Sequence, residues 1–494
     1  MENKVLDTAA VRRMVGVSYK KMKILSESEA DLFTSHRDEI LQDLKGKVNL
    51  CSKGSKIYTG KLSEGCKICA GHAWACLFVN RLCTSNCFFC PQNRAVNKEA
   101  PPHDGLDINF NNPKVFIKYL KKFGYRGVGF SGGEPLLVLD TLLEYIRVIR
   151  KEFGKGYYIW LYTNGSLVNI AVMRLLNEAG LNEIRFNIYP GRYDLNKVAL
   201  AKQFIKVVTV EIPAIPEDEE YLRKSLSDMR RIGVDHLNLH QLYATKANIN
   251  SYINRNYTFL HHQCWPPVME SEFTALKIIR YAADNRIKLS INYCSSVFKR
   301  RFQGSSARKL FAYYNVESFE TITENGFIRR LSAISSADNL KSLCRELKRN
   351  NNKKYFYFDV RNSIVHIHSS LLKYINLKKY LLRLVYYDIT LKEGEGKEEL
   401  TENREKVRIC KHMDILVVRD LLLRFEPMDY LTGNIFKEFI KYPRMDRGRF
   451  IKQHLTPLKL LGKETDREVF KDSLEKIELF EGFEKIPAGL PKFY

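Results

Sequence analysis

From about residue 76 to 295 the chain alternates short β-branched or aromatic runs with amphipathic stretches, and no other feature narrows the fold as much. The runs are CLFVNRL (76–82), GVGFS (127–131), YIWLYTN (158–164), EIRFNIY (183–189), VVTVEIPAI (207–215), HLNLHQL (236–242) and KLSINYCS (288–295). Between them lie segments such as NPKVFIKYLKKFG and PLLVLDTLLEYIRVIRKEF, whose apolar residues recur at spacings of three and four. Asn112 before Pro113, and Pro135, are helix-start signals. Strands that alternate with helices pair in parallel through right-handed crossovers, which yields an open sheet or a barrel. Six or seven units suit an α/β fold of the partial (β/α)6-type, a TIM-like barrel whose chemistry gathers at the C-terminal ends of its strands.

At 494 residues the chain exceeds the ~250–300 at which one hydrophobic core stops growing, so more than one unit is expected. The expected division is an N-terminal extension with extra cysteines (1–75), the barrel (76–300) and a C-terminal α+β accessory domain for substrate recognition (301–494). After residue 300 the βα rhythm fades. RELKRNNNKKY (345–355) reads as a linker or exposed turn, and KEGEGKEELTENREK (392–406) as a solvated loop. YFYFDV, IVHIHSS, YLLRLVYYDITL and ILVVRDLLL read as strands, and DREVFKDSLEKIELF as a helix.

The first residues carry Glu2, Lys4 and Asp7, which a signal peptide would not, and no run of about 18 apolar residues is free of charge. A cytoplasmic protein with no membrane span is expected. Of eleven cysteines, six crowd between Cys66 and Cys90, an unevenness that points to metal in a reducing compartment rather than to disulfides. The net charge of +24 would favour a polyanion such as RNA, but dispersed surface lysines need no ligand.

RLCTSNCFFCP places Cys83, Cys87 and Cys90 in a loop directly after the first candidate strand. Three thiolates within eight residues can ligate three irons of a cubane and leave the fourth open. Zinc is the competing reading, and it would need a fourth ligand from elsewhere. GFSGGEP follows the second strand: two glycines admit close backbone approach, and a carboxylate can pair with an ammonium.

These two elements resemble the CxxxCxxC signature and the GGEP element of the radical S-adenosylmethionine superfamily, over about residues 76 to 245 and more loosely to 295. The resemblance implies a 4Fe-4S cluster on Cys83, Cys87 and Cys90, with S-adenosylmethionine chelated at the open iron. It places Phe89 near the adenine and Gly132, Gly133 and Glu134 at the methionine amino group. Asn164, in LYTNG, resembles a polar position facing the cofactor, and Asn187, in FNIY, a ribose-contacting one, although each also suits a turn or a cap. An electron donor such as flavodoxin or ferredoxin is implied as a partner.

Cys51, Cys66, Cys69 and Cys76 could hold a second iron-sulfur cluster or zinc, or could be buried core residues. Cys294 closes the seventh strand as a candidate hydrogen-atom donor or a buried bystander. Lys299, Arg300 and Arg301 are candidates for an anionic substrate group, His240 and Gln241 are candidate substrate contacts, and His261, His262 and Cys264 form a scattered metal-ligand set. Three functions follow: a radical enzyme that abstracts hydrogen from a peptide or protein side chain, an RNA-modifying radical enzyme, or a metal-stabilised binding module without turnover.

Overall fold

The computed structural model describes residues 11–13, 15–92, 100–260, 265–350, 352–394, 404–411, 413–425, 427–442, 450, 453 and 475–486. The chain divides into two compact units, one built from residues up to 303 and the other from 304–487. No helix among the described residues is long and apolar enough to cross a membrane.

The first unit is a ten-stranded mixed sheet: β1 (Asn49–Cys51), β2 (Lys56–Tyr58), β3 (Trp74–Asn80), β4 (His103–Asp104), β5 (Gly127–Gly132), β6 (Tyr158–Thr163), β7 (Glu183–Phe186), β8 (Val207–Pro213), β9 (His236–His240) and β10 (Ser290–Cys294). Their spatial order is β1-β2-β10-β9-β8-β7-β6-β5-β3-β4. The seven parallel strands from β3 to β10 therefore follow one another in chain order, with antiparallel strands at both ends. Parallel strands added always on the same side, through crossovers of one hand, put their helices on one face of the sheet. The segment before residue 76 does not stand apart, because β1 and β2 extend this sheet from β10.

Period-two alternation divides the two faces of the sheet. Ile159, Leu161, Ile184, Phe186, Val208, Val210, Leu237, Leu239 and Ile291 are buried on the helix side. The alternate positions carry Tyr162, Glu183, Arg185, Glu211, Asn238, His240 and Asn292, so the other face is polar. The helix Glu64–Ala70, capped by the Ser63 side chain, covers that polar face. Gly65 lets it approach: a Cβ there would stand 2.4 Å from Arg185 Nη2 and 2.8 Å from Glu183 Oε2.

The second unit is a seven-stranded antiparallel sheet of β11 (Thr321–Ile322), β12 (Ile328–Ile334), β13 (Phe356–Asp359), β14 (Ile364–Ile367), β15 (Leu381–Glu393), β16 (Arg404–Cys410) and β17 (Met413–Arg424). Their order is β13-β14-β12-β15-β17-β16, with β11 against β12. Its core joins Leu331, Val365, Leu384 and Tyr386 to Leu340, Leu343 and Leu347 of the helix Ala337–Arg349, and to Phe436 and Phe439 of the helix Tyr430–Lys441.

Two expectations change here. The stretch read as a linker from residue 345 begins inside a helix, because Leu340, Leu343 and Leu347 recur on one face and are fully buried; only Asn350 onward leaves it. The loop expected from 392 to 406 is shorter at both ends, since Lys392 and Glu393 complete β15 and Arg404 to Lys406 open β16. Residues 395–403 lie outside the described residues.

Candidate active site

The chain leaves β3 at Asn80 and reaches Cys83 through Arg81 and Leu82, and the turn after β5 lies directly against this passage. Gly133 N donates to Asn80 O (3.1 Å), Glu134 N to Leu82 O (2.6 Å) and Asn80 Nδ2 to Glu134 O (3.0 Å). A Cβ on Gly132 would stand 2.2 Å from Asn80 O and one on Gly133 1.8 Å from Leu82 O, so both positions exclude any larger residue. The close approach that demands glycine is backbone on backbone, although both glycines also line the cavity described below.

The Glu134 side chain is fully buried and is not among the residues that line the cavity. Instead Oε1 accepts from Thr163 Oγ1 (2.8 Å) and Leu136 N (3.1 Å), and Oε2 from Asn164 N (2.7 Å). Burial pushes this carboxyl above its ordinary value, against the pull of those three donors. Its work is to join the ends of β5 and β6.

Cys83, Cys87 and Cys90 all line one cavity of about 300 Å3, together with Phe89, Gly132, Gly133, Asn164 and Asn187. Cys83 is exposed and the other two are half-buried. Asn164 Nδ2 donates to Thr84 Oγ1 (2.8 Å) and Ser85 Oγ (3.1 Å) and lies 3.7 Å from Cys83 Sγ. Asn187 Nδ2 donates to Cys87 Sγ (3.9 Å). The Phe89 ring meets Tyr189 edge-on at 5.1 Å, and its carbonyl accepts from Asn248 Nδ2 (3.1 Å). Beside it, the Arg255 guanidinium covers the Phe88 ring at 3.7 Å.

This donor set fits a cubane better than zinc. Among the described residues no fourth cysteine and no histidine lines the cavity, and its one carboxylate, Glu211, is taken up by Arg185, Asn238 and His240. Among the described residues no three Cys, His, Asp or Glu side chains stand close enough to hold one metal ion. A cubane asks for less convergence, since its three thiolates bind three different irons.

The cavity also reaches Tyr162, Arg185 and Glu211, which sequence reasoning missed. Arg185 donates from Nε to Glu183 Oε1 (2.9 Å), from Nη1 to Glu211 Oε2 (2.9 Å) and Tyr162 OH (3.2 Å), and from Nη2 to Ser63 Oγ (3.3 Å). Burial opposes its charge, but Glu183, Tyr162 and Glu211 outweigh burial. Burial likewise pushes Glu211 up, yet Arg185 and His240 win and hold its carboxyl far below the usual range. His240 is pushed down by burial and by Lys299, against the pull of Glu211. Lys299 Nζ donates to its Nδ1 (2.8 Å), which assigns the neutral tautomer whose Nε2–H donates to Glu211 Oε1 (2.7 Å). The available signal was a charged residue in mid-strand, Arg185 in EIRFNIY and Glu211 in VVTVEIPAI.

The remaining candidates fall away from the cavity. Cys294 is buried beside His240 in the β9–β10 ladder and does not line it. Arg300 donates to the Trp265 carbonyl and Arg301 is buried, so the basic run is not an open anion site. Gln241 is buried, bonded to Val268 O (3.1 Å) and Ser296 N (2.9 Å). The upstream thiols are not drawn together as ligands of one ion: Cys51 sits in β1, Cys66 Sγ accepts from Asn238 Nδ2 (3.3 Å), and Cys69 Sγ from Gln303 Nε2 (2.9 Å). Burial, with Cys294 and Cys66 nearby, pushes the Cys69 thiol up to about 12, and burial also raises Cys66 and Cys76. His261, His262 and Cys264 lie outside the described residues.

The model of the Radical SAM superfamily matches residues 77–198, from within β3 to beyond β7. A protein of Methanocaldococcus jannaschii, provisionally named as a glycyl-radical enzyme activating enzyme, is 30% identical over 308 residues, covering 59% of this chain and 78% of the relative. A second protein of that organism, provisionally named a GTP 3',8-cyclase, is 33% identical over 114 residues, or 22% of this chain and 34% of the relative. Among solved structures, Streptococcus suis SuiB bound to S-adenosylmethionine gives a TM-score of 0.33 at 13% identity, over 62% of this chain and 67% of that one. Sustained identity along most of a relative's length is a stronger statement than a shared motif, and it agrees with the thiols gathered on one cavity. The chain belongs to the radical S-adenosylmethionine superfamily, and with that membership come iron-sulfur chemistry, S-adenosylmethionine and catalysis.

Proposed function

We propose that this enzyme abstracts a hydrogen atom from a peptide or protein substrate. The observation that carries the reading is the one cavity shared by three thiols, with no fourth cysteine or histidine in its wall among the described residues, and a polar floor of Tyr162, Arg185 and Glu211. Cys83, Cys87 and Cys90 would hold a 4Fe-4S cluster, which when bound would supply the single electron, drawn from a flavodoxin or ferredoxin, for reductive cleavage of S-adenosylmethionine and abstraction of the substrate hydrogen.

The protein's own residues hold and orient. The turn at Gly132 and Gly133 fixes the entry to the cysteine loop, and Glu134 ties that turn to Asn164. Phe89 supplies an aromatic wall on which an adenine can rest. On the floor, Arg185 spends its donors on Glu183, Glu211, Tyr162 and Ser63, so its guanidinium is paired with two carboxylates and is not open to a phosphate. The Tyr162 hydroxyl accepts from Arg185, so its own proton is available to a substrate carbonyl. A neutral amide suits such a floor better than RNA does, and the provisional name of the Methanocaldococcus relative also favours a protein substrate. The seven parallel strands are read as an open barrel over residues 76–300, and the unit beyond residue 300 as the part that grips the substrate.

Anaerobic reconstitution tests this. Wild-type protein should take up iron and sulfide in equal amounts and, with dithionite, convert S-adenosylmethionine to 5'-deoxyadenosine; Cys87→Ala should do neither. A zinc-loaded wild type that releases no 5'-deoxyadenosine would overturn the reading.

A further inference from the structure

We infer that Asn164 and Asn187 act on the cluster itself, as paired amide donors to two of its thiolates that raise its reduction potential. The inference rests on the cluster assigned above to Cys83, Cys87 and Cys90. Asn164 stands at the end of β6 and Asn187 just past the end of β7, neighbouring strands, and each presents Nδ2 to a different sulfur: Cys83 Sγ at 3.7 Å and Cys87 Sγ at 3.9 Å. Sulfur accepts hydrogen bonds at longer distances than oxygen, and an amide nitrogen can only donate.

The direction of each amide is fixed by its other end. Asn164 Oδ1 accepts the backbone N–H of Ser166 (2.9 Å), and Asn187 Oδ1 accepts that of Tyr189 (3.3 Å). A flip of either amide would put its NH2 against a backbone N–H, so the NH2 groups are committed to the sulfur side. The backbones are held as well, Asn164 N on Glu134 Oε2 (2.7 Å) and Asn187 N on Thr163 O (2.8 Å). Such donors withdraw electron density from cluster sulfur and favour the reduced state, one of the recognised controls on iron-sulfur potentials. These are positioning residues: the first amide shares its two hydrogens among Thr84, Ser85 and Cys83 Sγ, so it sets the shape of the loop as well as the charge on its sulfur.

The test is an EPR-monitored redox titration of reconstituted protein without S-adenosylmethionine, for wild type, Asn187→Leu, Asn187→Gln and Asn164→Leu. Each leucine should raise the oxidised-to-reduced ratio at a fixed potential about tenfold, which for one electron is about 59 mV. The glutamine, which keeps an amide, should recover part of the shift. S-adenosylmethionine affinity is read in parallel by equilibrium dialysis. Unchanged potentials would overturn the inference, and a fall in S-adenosylmethionine affinity alone would assign these residues to the cofactor instead. If a leucine variant holds no cluster, wild type carrying 15N-asparagine decides: its reduced cluster should show side-chain 15N coupling by pulsed EPR, and its absence would overturn the inference. Wild type that assembles no cluster would instead sink the underlying functional reading.

Discussion

Glu134 Oε2 and the backbone N–H of Asn164 are joined at 2.7 Å across the ends of two neighbouring parallel strands, inside a site where the carboxylate is fully buried. The bond couples the glycine turn to the residue that holds Thr84 and Ser85. Glu134→Gln keeps one acceptor oxygen but turns an NH2 on Thr163 or Asn164. Leaving a buried donor unmatched costs about 1–3 kcal/mol. The expected result is a stability loss of that size in urea unfolding, with lower iron content after reconstitution.

Gly65 lies in the first turn of the helix Glu64–Ala70 and Gly71 caps its C-terminal end, and the two should respond differently to alanine. Gly65→Ala forces a Cβ to 2.4 Å from Arg185 Nη2, so the helix must lift from the polar face, at a cost of about 1–3 kcal/mol for overpacking. Gly71, at φ −86° with nothing nearer than 3.8 Å, should tolerate alanine within about 0.5 kcal/mol. Thermal unfolding of the two variants checks the contrast.

Arg185 and Glu211 make a buried ion pair at 2.9 Å, and removing one partner of such a pair costs about 3–5 kcal/mol. The Glu211 carboxyl lies far below its usual value in the folded chain. A depressed acid contributes stability that is fully present above the unfolded value, about 4.3, and is lost as pH falls toward the folded one. The stability gap between wild type and Glu211→Gln should therefore be widest near pH 7 and narrow steadily below about pH 4. Denaturant titrations at the two pH values check it, and a gap that widens in acid would contradict the assignment.

Thiol labelling should separate the two groups of cysteines. In cluster-free native protein at pH 8, iodoacetamide should modify exposed Cys83 and spare Cys66, which is buried, and Cys69, whose thiol is held at about 12. At that value only about one Cys69 in ten thousand is ionised, and the thiolate is the nucleophile. Loading the cluster should then protect Cys83, as read by mass spectrometry of peptides.

The seven parallel strands were legible because each candidate run kept its apolar alternation, and the cysteine loop because its three thiols fall within eight residues of the chain. The polar floor was not. Arg185, Glu211 and Asn238 look like solvent-facing positions of ordinary strands, since what buries them is a helix more than a hundred residues earlier in the chain, carrying Gly65 and Cys66. The glycines of the GGEP turn announced that no Cβ fits, but a sequence does not say which neighbour fills the space, and that neighbour is the main chain at Asn80 and Leu82. The helix Ala337–Arg349 was hidden by its own composition, because Lys341, Arg345, Lys348 and Arg349 outnumber the three leucines that bury one face.

The lock between the GGEP turn and the residues leading to Cys83 uses none of the three thiols. Two of its bonds join peptide groups and the third runs from the Asn80 side-chain amide to the Glu134 carbonyl, so replacing Cys83, Cys87 or Cys90 leaves every one of them in place.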